Sequence, residues 1–583
     1  MTKKNYIGMA TTFHDSAIVI LNSDGEVQFA EANERYLQNK IALNISPDYP
    51  KRMSKLVEKY CEPGADLVVA QTWSEPYHRN NNAEILKADN SENAELASDF
   101  YSNKIVKKLD YMSRAQSHAM SFAGKTLENE LSKNEAWYRK NIQTKKYFHH
   151  LTHAATACYT SPYKEGVCVI IDGYGEHSSL EIFHYSDGNL ESLSSKSQLD
   201  ETDGSLGMFY LDICQACGFG SDLGDEWKVM GLAPYGKLDE ELYKVLRASI
   251  VIDGLELKNA PSFQKMQAAY QLTKRERQPD ESAYGSADVA FTGQKVFEDV
   301  VLELLNNIEK LGLSKNLILG GGCMMNSSAT GQIIGRTKFE SLHVYSAPGD
   351  DGNALGAALL AFYDDNPEKK PSNDGYFTPY LGSTMSQEVL KNVVRFSDKT
   401  KHRSYPNKVH EKAAELLADG KIIGWVQGRA EFGPRSLGNR SILADPRSPT
   451  TKDKINSRIK FREEFRPFAP SILDEFGPEY FENYQVTPYM ERTLRFKDSV
   501  IERIPGVVHE NSTGRLQSVR KEWNERYYAL IKAFYDITGV PIVLNTSFNV
   551  MGKPIIHSVE DAVAVFYTTG LDALIIDDEI ILK

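Results

Sequence analysis

Residues 167–188 read VCVIIDGYGEHSSLEIFHYSDG, a pattern that is typical of a β-hairpin. A short apolar run is followed by a polar loop, a second strand-like run and an Asp-Gly turn. Residues 6–31 follow the same plan, and without a gap His14 aligns with His177 and the two Asp-Gly turns coincide. The two segments are either unrelated generic hairpins or the openings of two duplicated lobes. We favour a duplication, which predicts an α/β fold.

Two related lobes that each open with a hairpin are typical of the actin and hexokinase class of ATPases. In that class the hairpin turns hold nucleotide phosphates through backbone N–H groups, and a carboxylate beside them can hold a divalent ion. Residues 32–148 lie between the hairpins, and we interpret them as an insertion that shapes a substrate pocket.

A candidate metal site precedes the second hairpin. His149 and His153 are four residues apart in a stretch rich in alanine, so on a helix they share one face. Asp172 directly follows the apolar run that opens the second hairpin. Two imidazoles and a carboxylate can hold one metal ion. The alternative is a helix N-terminus with solvated or capping histidines.

Composition limits the classes of function. The 583 residues correspond to three or four domains' worth of chain, with an ordinary apolar content of 41%. No apolar run is long enough to span a membrane, and no signal-peptide core follows Met1, so we expect a cytoplasmic protein. Six scattered cysteines fit a reducing compartment, and Cys214 and Cys217 are expected to pack in the core. The net charge of −12 argues against broad binding to nucleic acid.

Two glycine-bearing stretches are candidates for nucleotide binding. Residues 224–236 combine charged side chains with glycines, and residues 316–326 form a predicted strand that runs into three glycines. Glycines at the end of a strand let another group, such as an adenosine, approach the backbone closely. The alternative for the triple glycine is a tight turn. Further on, residues 364–375 are polar and contain prolines, which predicts a linker and a domain boundary. The predicted domains are residues 1–366 and 376–583.

The C-terminal part gathers basic residues in loops that follow predicted strands. These loops lie at residues 427–440, 460–468 and 514–515, and a polar strand end follows at 545–549. In an acidic protein this pattern predicts a small-anion site, because arginine forks match phosphate oxygens. The alternatives are a solvated basic surface or arginines paired with nearby glutamates.

A family resemblance rests on motifs that span nearly the whole chain. They are HHLTHA, VIIDGYGE, KVMGLAPYG, LILGGGCMMN, GDDGNALGAA, EFGPRSLGNRSILADPR, FRPFAPS and LNTSFN. Together they resemble the O-carbamoyltransferases of antibiotic and nodulation-factor biosynthesis, relatives of the tobramycin and cephamycin carbamoyltransferases. The resemblance implies an actin-like N-terminal domain and an α+β C-terminal domain like the threonylcarbamoyl-AMP synthases. It further implies that the C-terminal domain makes carbamoyl-adenylate from carbamoyl phosphate and ATP, and that the N-terminal domain transfers the carbamoyl group to a hydroxyl of a small natural product.

The resemblance also implies roles for individual residues. A metal ion, iron by resemblance and zinc or manganese by ligand chemistry, is expected on His149, His153, Asp172 and Asp351. Mg²⁺ is expected with ATP, and Glu226, Lys228, Gly321, Gly322 and Asn326 are expected to hold the nucleotide. The carbamoyl phosphate and adenylate contacts implied are Arg435, Lys460, Arg462, Arg466, Arg515, Asn545 and Ser547. Arg435 and Lys460 are also expected to act in catalysis, and His14 and Asp15 are candidates for the acceptor end.

Two other functions fit part of the sequence. One is a fused tRNA threonylcarbamoyl transferase, which the acidic balance disfavours. The other is a non-catalytic binding or regulatory ATPase of the actin type, for which Arg435→Ala would leave function intact. The expected partner is a small-molecule hydroxyl acceptor, with no nucleic acid and no membrane, for a monomer or a homodimer.

Overall fold

A computed structural model of the chain describes residues 3–74, 103–133, 142–194, 203–220, 224–371 and 375–583. Apolar runs form buried strands, and helices pack on them, so the fold is α/β with mixed sheets. The predicted linker at 364–375 lies partly outside the described residues, since 372–374 are not among them.

The first sheet is built at the N-terminus. Its strands are β1 (Lys4–Met9), β2 (Ala17–Leu21), β3 (Val27–Ala32), β4 (Asp66–Gln71) and β5 (Ile142–Lys146). They lie in the order β3-β2-β1-β4-β5, where β1, β2 and β3 form antiparallel hairpins and β1, β4 and β5 are parallel. The segment 32–148, expected as an insertion, therefore supplies two strands of the sheet itself.

The second sheet repeats this order. The strands from this part of the chain are β6 (Glu165–Ile171), β7 (Leu180–Ser186), β8 (Asn189–Ser192), β9 (Ile250–Asp253), β10 (Glu256–Asn259), β11 (Asn316–Gly320) and β12 (Ser341–Val344). The sheet order is β8-β7-β6-β11-β12, with the same antiparallel and parallel pairs as the first sheet, while β9 and β10 form a separate ribbon. Gly25 and Gly188 in the two hairpin turns both have a φ of 88°. The duplication that the sequence predicted is confirmed.

Helices cover and join these sheets. In the N-terminal part they are α1 (Asn33–Leu37), α2 (Met53–Tyr60), α3 (Asn103–Phe122), α4 (Lys125–Leu131), α5 (His149–Tyr159), α6 (Leu206–Ala216), α7 (Trp227–Leu232), α8 (Glu240–Ala248), α9 (Ser262–Lys274), α10 (Ala287–Glu309), α11 (Ser327–Ile333) and α12 (Asn353–Asp365). Helix α6 carries Cys214, and Cys217 directly follows its last residue. Both side chains are buried in the core of the second lobe, as the sequence predicted.

Helices α5 and α12 lie between the two sheets and pack closely on each other. A Cβ atom at Gly356 of α12 would lie 1.9 Å from the backbone oxygen of Thr152 in α5. The Thr156 hydroxyl donates a hydrogen bond to the Gly352 carbonyl oxygen at 2.8 Å. Helix α12 also packs on β1, where a Cβ atom at Gly8 would lie 1.7 Å from the Ala354 oxygen. Only glycine allows approaches of this kind, because any side chain would overlap backbone atoms.

The C-terminal part forms a third, nine-stranded mixed sheet. Its strands are β13 (His402–Ser404), β14 (Ile423–Val426), β15 (Arg440–Ala444), β16 (Ala469–Leu473), β17 (Arg492–Arg495), β18 (Thr513–Val519), β19 (Ile542–Ser547), β20 (Ala573–Ile576) and β21 (Glu579–Leu582). The order is β13-β21-β20-β14-β15-β19-β16-β18-β17. The helices here are α13 (Gln387–Phe396), α14 (Val409–Ala418), α15 (Thr451–Ile455), α16 (Gly477–Tyr480), α17 (Asp498–Ile501), α18 (Glu525–Thr538) and α19 (Val559–Thr568).

The two parts meet where α11 lies on the edge strand β17. The Thr330 hydroxyl donates a hydrogen bond to the Glu491 carbonyl oxygen, and the Ser327 and Thr493 hydroxyls are 2.9 Å apart. A Cβ atom at Gly331 would lie 2.1 Å from the Thr493 oxygen. Since α11 directly follows the glycine-rich loop after β11, this contact brings that loop beside the C-terminal sheet. Within the described residues, no helix combines the length and apolar character needed to cross a membrane.

Candidate metal centre and anion site

Four buried side chains converge between the two lobes. The Nε2 atoms of His149 and His153 are 3.2 Å apart, and they lie 3.1 and 3.3 Å from Asp172 Oδ2. Asp350 Oδ1 lies 3.5 Å from His149 Nε2 and 3.3 Å from His153 Nε2. One ligand atom from each of the four residues can be chosen so that all lie within 4.8 Å of one another. The geometry therefore gathers two imidazoles and two carboxylates at one point.

The fourth member of this cluster is Asp350, whereas the family resemblance implied Asp351. The residues Asp350–Gly352 form a 3₁₀ turn, which sends the two neighbouring carboxylates in different directions. Asp351 Oδ1 instead accepts a hydrogen bond from the Gly352 N–H at 3.0 Å. Burial, with Asp15 and Glu34 nearby, raises the pKa of Asp351 to about 7. The expected placement of Asp351 is thus corrected by one residue.

The cluster forms because several carboxyl ends of parallel strands meet there. Asp172 follows β6, the triple glycine follows β11, and Asp350 lies in the loop after β12. The two histidines project from the first turns of α5, which follows β5. In parallel α/β sheets this edge is the usual place for ligands, because loops from several strands come together there.

Neighbouring groups fix the histidines in place. The Nδ1 atom of His149 lies 3.3 Å from the Asn353 amide nitrogen, and the Trp73 ring packs on His149 with centroids 4.7 Å apart. The His149 backbone N–H donates a hydrogen bond to Glu176 Oε2 at 2.9 Å. Asp172 accepts a hydrogen bond from the Gly322 N–H through its other oxygen, Oδ1, at 3.1 Å. Groups that orient metal ligands in this way are typical of metal centres.

The charged groups of this cluster shift the pKa values of one another. Burial alone would lower the pKa of His149, but Asp350 and Asp172 raise it to about 10. Burial would raise the pKa of Asp172, but hydrogen bonds from His149 and His153 hold it well below its usual value. Two carboxylates that are buried this deeply need nearby positive charge. A divalent cation would supply that charge together with four ligand bonds.

The residues present fit a metal ion. Ligand atoms bound at about 2.1 Å would be separated by about 3.0 to 3.4 Å in octahedral or tetrahedral arrangements. The separations between the histidine nitrogens and their neighbours, 3.1 to 3.5 Å, match that spacing. Nitrogen and carboxylate ligands suit iron, zinc or manganese, so the donor set alone does not select among them.

His14 and Asp15 lie beside this cluster. His14 Nδ1 is 2.9 Å from Asp15 Oδ2, and His14 Nε2 is 3.9 Å from Asp350 Oδ2. Burial would lower the pKa of His14, but Asp15, Asp350 and Asp172 raise it to about 9. The structure thus places His14 and Asp15 next to the cluster, where the surrounding carboxylates favour the protonated form of His14.

Among the residues expected to hold a nucleotide, Gly322 contacts the His149–Asp350 cluster directly, through Asp172. Gly321 has a φ of 91°, and a Cβ atom there would lie 2.2 Å from the Ile171 oxygen, so glycine is required. Gly322 donates to Asp172, as described above. Asn326 caps α11 and exchanges hydrogen bonds with the Gln294 amide, which gives it a structural role in the loop. Glu226 accepts a hydrogen bond from the Gly224 N–H at 2.9 Å, and Lys228 lies two residues further along.

A second cluster collects the basic side chains of the C-terminal part. Its members, which we call the basic cluster, are Arg435, Lys460, Arg462, Arg466 and Arg515. Lys460 lies at the end of a π-helical turn, Asn456–Lys460, that continues α15, and only 2% of it is exposed. Its ammonium group contacts the Ser547 carbonyl oxygen and the Asn549 side-chain oxygen, the latter at 2.6 Å. The π turn directs Lys460 inward, as such turns often do at functional sites.

Like charges in the basic cluster act on one another. Burial, then Arg462 and Arg466, hold the pKa of Lys460 well below its usual value. Burial, then Arg435 and Arg462, do the same to Arg515, and burial and Arg466 lower the pKa of Arg462 to about 9. Arg462 Nη2, Arg466 Nε and Arg515 Nε are buried without a hydrogen-bonding partner among the described residues. A group of cations with unused donors is suited to bind an anion.

Two other expected contacts have different surroundings. The Asn545 amide nitrogen donates hydrogen bonds to Ser436, Ser471 and Gln517, which ties β19 to its neighbours. The Ser547 hydroxyl donates to Asn549 Oδ1 at 2.7 Å and lies 3.3 Å from the Lys460 ammonium. Ser547 is thus beside the basic cluster, whereas Asn545 holds the sheet under it.

The glycine-rich loop after β11 contacts both clusters. Arg435 Nη2 donates a hydrogen bond to the Met325 carbonyl oxygen at 3.3 Å, and Met325 lies between Gly322 and Asn326. Lys228 Nζ is 3.4 Å from Glu463 Oε1. Sequence reasoning missed Asp350, Glu176 and Asn353. All three lie inside the motifs VIIDGYGE and GDDGNALGAA, but spacing alone could not assign their roles.

The chain matches two family models that together cover most of its length. A model described as Carbamoyltransferase N-terminus matches residues 5–359, and a model described as Carbamoyltransferase C-terminus matches residues 414–583. The uncharacterized protein MJ1058 of Methanocaldococcus jannaschii is 37% identical over 76% of this chain and 74% of its own length. Nodulation protein NolNO of Sinorhizobium fredii is 36% identical over 75% of this chain and 63% of its own length.

A further relative is the 3'-hydroxymethylcephem-O-carbamoyltransferase of Amycolatopsis lactamdurans, 30% identical over 45% of this chain and 48% of its own length. Among solved structures, full-length HypF is similar at a TM-score of 0.35 and 11% identity, over 64% of this chain and 57% of that chain, a level that carries no conclusion about fold or function. The matches define the class of the protein, which is a transferase. The chain belongs to the carbamoyltransferase family, as its motifs predicted, and its relatives include an O-carbamoyltransferase.

Proposed function

We propose that the chain is an ATP-dependent O-carbamoyltransferase that works in two steps. In the first step the basic cluster binds carbamoyl phosphate and the phosphates of ATP, and carbamoyl-adenylate forms. In the second step the lobes around the metal centre transfer the carbamoyl group to a hydroxyl of a small natural product. We further propose that the N-terminal part, residues 1–366, is an actin-like domain and that residues 376–583 form a domain like the threonylcarbamoyl-AMP synthases.

The basic cluster is the observation that carries this proposal. Its buried cations have donors without partners in the described part of the chain, and few carboxylates compensate them. A buried charge without a partner is costly, so the site gains most from a ligand with several negative charges. Carbamoyl phosphate and a nucleotide triphosphate are such ligands.

The chemistry of the first step needs a strong anion clamp. Overall, carbamoyl phosphate, ATP and one water give carbamoyl-adenylate, phosphate and pyrophosphate, so negative charge builds up on two leaving groups. Fixed cations in a site that excludes water stabilise such charge well. Lys460 and Arg435 are suited to this role, because Lys460 is buried and Arg435 also contacts the glycine-rich loop of the N-terminal part.

In the second step the residues between the lobes would hold the adenylate. His149, His153, Asp172 and Asp350 would hold a divalent ion, which when bound supplies Lewis-acid grip on phosphate oxygens. At Gly321 and Gly322 the adenosine would be able to approach the backbone closely. His14, paired with Asp15, would move a proton at the acceptor hydroxyl. Asp15, Asp350 and Asp172 favour the protonated form of His14, so a cation that neutralises Asp350 and Asp172 would help His14 to accept that proton.

Passage of the adenylate within one chain has a physical advantage. Carbamoyl-adenylate is labile in water, so a protected route from one site to the other preserves it. The contact from Arg435 to Met325 and the packing of α11 on β17 bring the two sites together.

The first experiment measures pyrophosphate release from ATP and carbamoyl phosphate in the presence of a divalent metal. We expect release by the wild-type protein and its loss in Arg435→Ala. Arg495→Ala is the matched control, because Arg495 lies on the edge strand β17 and pairs with Glu482 and Asp498 at the surface. The absence of pyrophosphate from the wild-type protein would exclude the proposed first step. A panel of polyhydroxylated acceptors, scanned for the mass of one added carbamoyl group, then tests the second step.

A further inference from the structure

Trp227 of the N-terminal part lies against the basic cluster of the C-terminal part. The guanidinium carbon of Arg466 is 3.4 Å from the centroid of the Trp227 ring. Trp227 opens α7, and its indole N–H donates a hydrogen bond to the Gly224 carbonyl oxygen at 2.9 Å. The ring is therefore fixed by its own segment and offers a flat face to Arg466.

The residue that follows Trp227 acts on the same arginine indirectly, through a carboxylate. Lys228 Nζ lies 2.8 Å from Asp225 Oδ2 and 3.4 Å from Glu463 Oε1. The other oxygen of Glu463, Oε2, accepts a hydrogen bond from Arg466 Nη1 at 3.0 Å. Lys228 thus holds the carboxylate that in turn holds Arg466.

These contacts leave Arg466 able to bind a ligand. Arg466 is 8% exposed, and its Nε atom is buried without a partner among the described residues. Stacking on an aromatic ring holds the plane of a guanidinium group without using any of its N–H donors. An arginine paired on all its donors with carboxylates would have none left for an anion, whereas Arg466 is oriented by a ring and a single carboxylate contact.

We propose that Trp227 is a positioning residue for the anion site, and that the N-terminal part therefore completes the carbamoyl phosphate site of the C-terminal part. This inference rests on the proposed function of the basic cluster. It assigns Trp227 no contact with the reacting atoms. Its role is to hold Arg466 in the orientation that binds the anion, with Lys228 acting through Glu463.

The test compares Trp227→Leu with Trp227→Phe. The leucine removes the aromatic face, and the phenylalanine retains a smaller one. We expect Trp227→Leu to raise the KM for carbamoyl phosphate about tenfold in the pyrophosphate assay, with kcat and the KM for ATP changed less than about threefold. Trp227→Phe should recover most of the loss. A purely structural role would lower stability without this selective change in one KM.

A matched control uses another tryptophan of the chain. Trp523 also lies under an arginine, since the Arg520 guanidinium carbon is 4.6 Å from its ring centroid, and that pair is not part of the basic cluster. Trp523→Leu should leave the KM for carbamoyl phosphate unchanged. A double-mutant cycle with Arg466→Lys should show that Trp227→Leu adds little once the guanidinium is gone.

A binding experiment separates this inference from the proposed function. Inorganic phosphate is titrated calorimetrically into the wild-type protein and both Trp227 variants, so no catalysis is needed. Weaker phosphate binding by Trp227→Leu, recovered by Trp227→Phe, supports the positioning role even if no pyrophosphate is ever released. Equal phosphate affinity and equal KM in the wild-type protein and Trp227→Leu would overturn it, whatever the outcome for adenylate formation.

Discussion

The four residues of the candidate metal centre are buried, and those of the basic cluster are buried or half-buried, but the two clusters differ in how their charges are arranged. Around His149 and Asp172, groups of opposite sign lie about 3 Å apart, and each holds the other in its charged form. In the basic cluster, groups of the same sign lie together: burial, then Arg462 and Arg466, lower the pKa of Lys460, and burial, then Arg435 and Arg462, lower the pKa of Arg515. The first arrangement can bind a cation between its donors, and the second needs an anion.

This difference shows how one chain can separate two tasks. A buried cluster of unlike charges is stable without a ligand and gains ligand bonds from a metal. A buried cluster of like charges has a free-energy cost that a bound anion offsets, so its ligand is expected to stabilise the fold as well. Variants that alter one cluster should therefore leave the other intact.

The largest effect is expected from the two neighbouring aspartates after β12. Asp350→Asn removes one ligand of the metal centre, so we expect metal affinity and carbamoyl transfer to fall about 100-fold or more. Asp351→Asn is the matched control, since Asp351 contacts the Gly352 N–H instead. Metal content after dialysis, measured by mass spectrometry, distinguishes them. Metal loss in Asp351→Asn with retention in Asp350→Asn would show that the cluster is assigned to the wrong residue.

A similarly large effect, confined to the other cluster, is expected from Lys460→Met. Removal of the buried ammonium should slow adenylate formation about 100-fold, because a fixed positive charge near the leaving groups is lost. The metal content should not change. Lys454→Met provides the control, as Lys454 is exposed one and a half turns earlier in α15. Pyrophosphate release at saturating ATP is the measurement, and an unimpaired Lys460→Met would remove this residue from the anion site.

A smaller effect is expected from pH at the metal centre. In the metal-free protein the pKa of His149 is raised from 6.5 to about 10, so its proton stabilises the fold below pH 6.5, and that contribution is lost as the pH rises toward 10. A metal ligand must be deprotonated, so metal binding releases protons in this range. We expect affinity to rise about tenfold per pH unit for each proton released.

Chelator competition between pH 7 and 9 measures this affinity, and calorimetry in buffers of different ionisation heat counts the protons. A metal affinity that does not change with pH would contradict the charge coupling described for His149.

The smallest effect is expected from the helix contact beneath the metal centre. Gly356→Ala would place a Cβ atom 1.9 Å from the Thr152 oxygen, so α5 and α12 must move apart, at a cost of about 1 to 3 kcal/mol in the free energy of unfolding. Gly285→Ala is the control, as no atom lies within 4 Å of its Cβ position. Chemical denaturation compares the two. Equal stability of both variants would show that the helices are not held as closely as described.

The sequence predicted much of this arrangement because local patterns fix it. The spacing of His149 and His153 places them on one helix face, and the apolar run before Asp172 places it at a strand end. These three members of the cluster could therefore be predicted as candidate metal ligands from the sequence. The choice between Asp350 and Asp351 could not, since it depends on the direction of a single 3₁₀ turn. Neighbouring carboxylates of one type carry no difference in spacing or composition.

The members of the basic cluster were predictable from the sequence, but the contacts around them were less so. Basic residues in loops after strands indicated its place, and Arg435, Lys460, Arg462, Arg466 and Arg515 do gather there. Asn545 donates hydrogen bonds to Ser471 and Gln517 of neighbouring strands, and its expected contact with the ligand stays a prediction. Trp227 could not be found, because its contact with Arg466 joins residues far apart in the chain, and no local pattern reports such a contact.

The two central helices have a consequence for how the N-terminal part came to be built. Helix α12 follows the second sheet but packs on β1 of the first, while α5 follows the first sheet and contacts Gly320 at the end of β11 in the second. The helix that follows each sheet thus packs on the sheet of the other repeat. A single repeat would leave an uncovered sheet and a displaced helix, whereas two separate copies could cover each other by exchange. The architecture is that of a domain-swapped dimer whose halves are joined in one polypeptide.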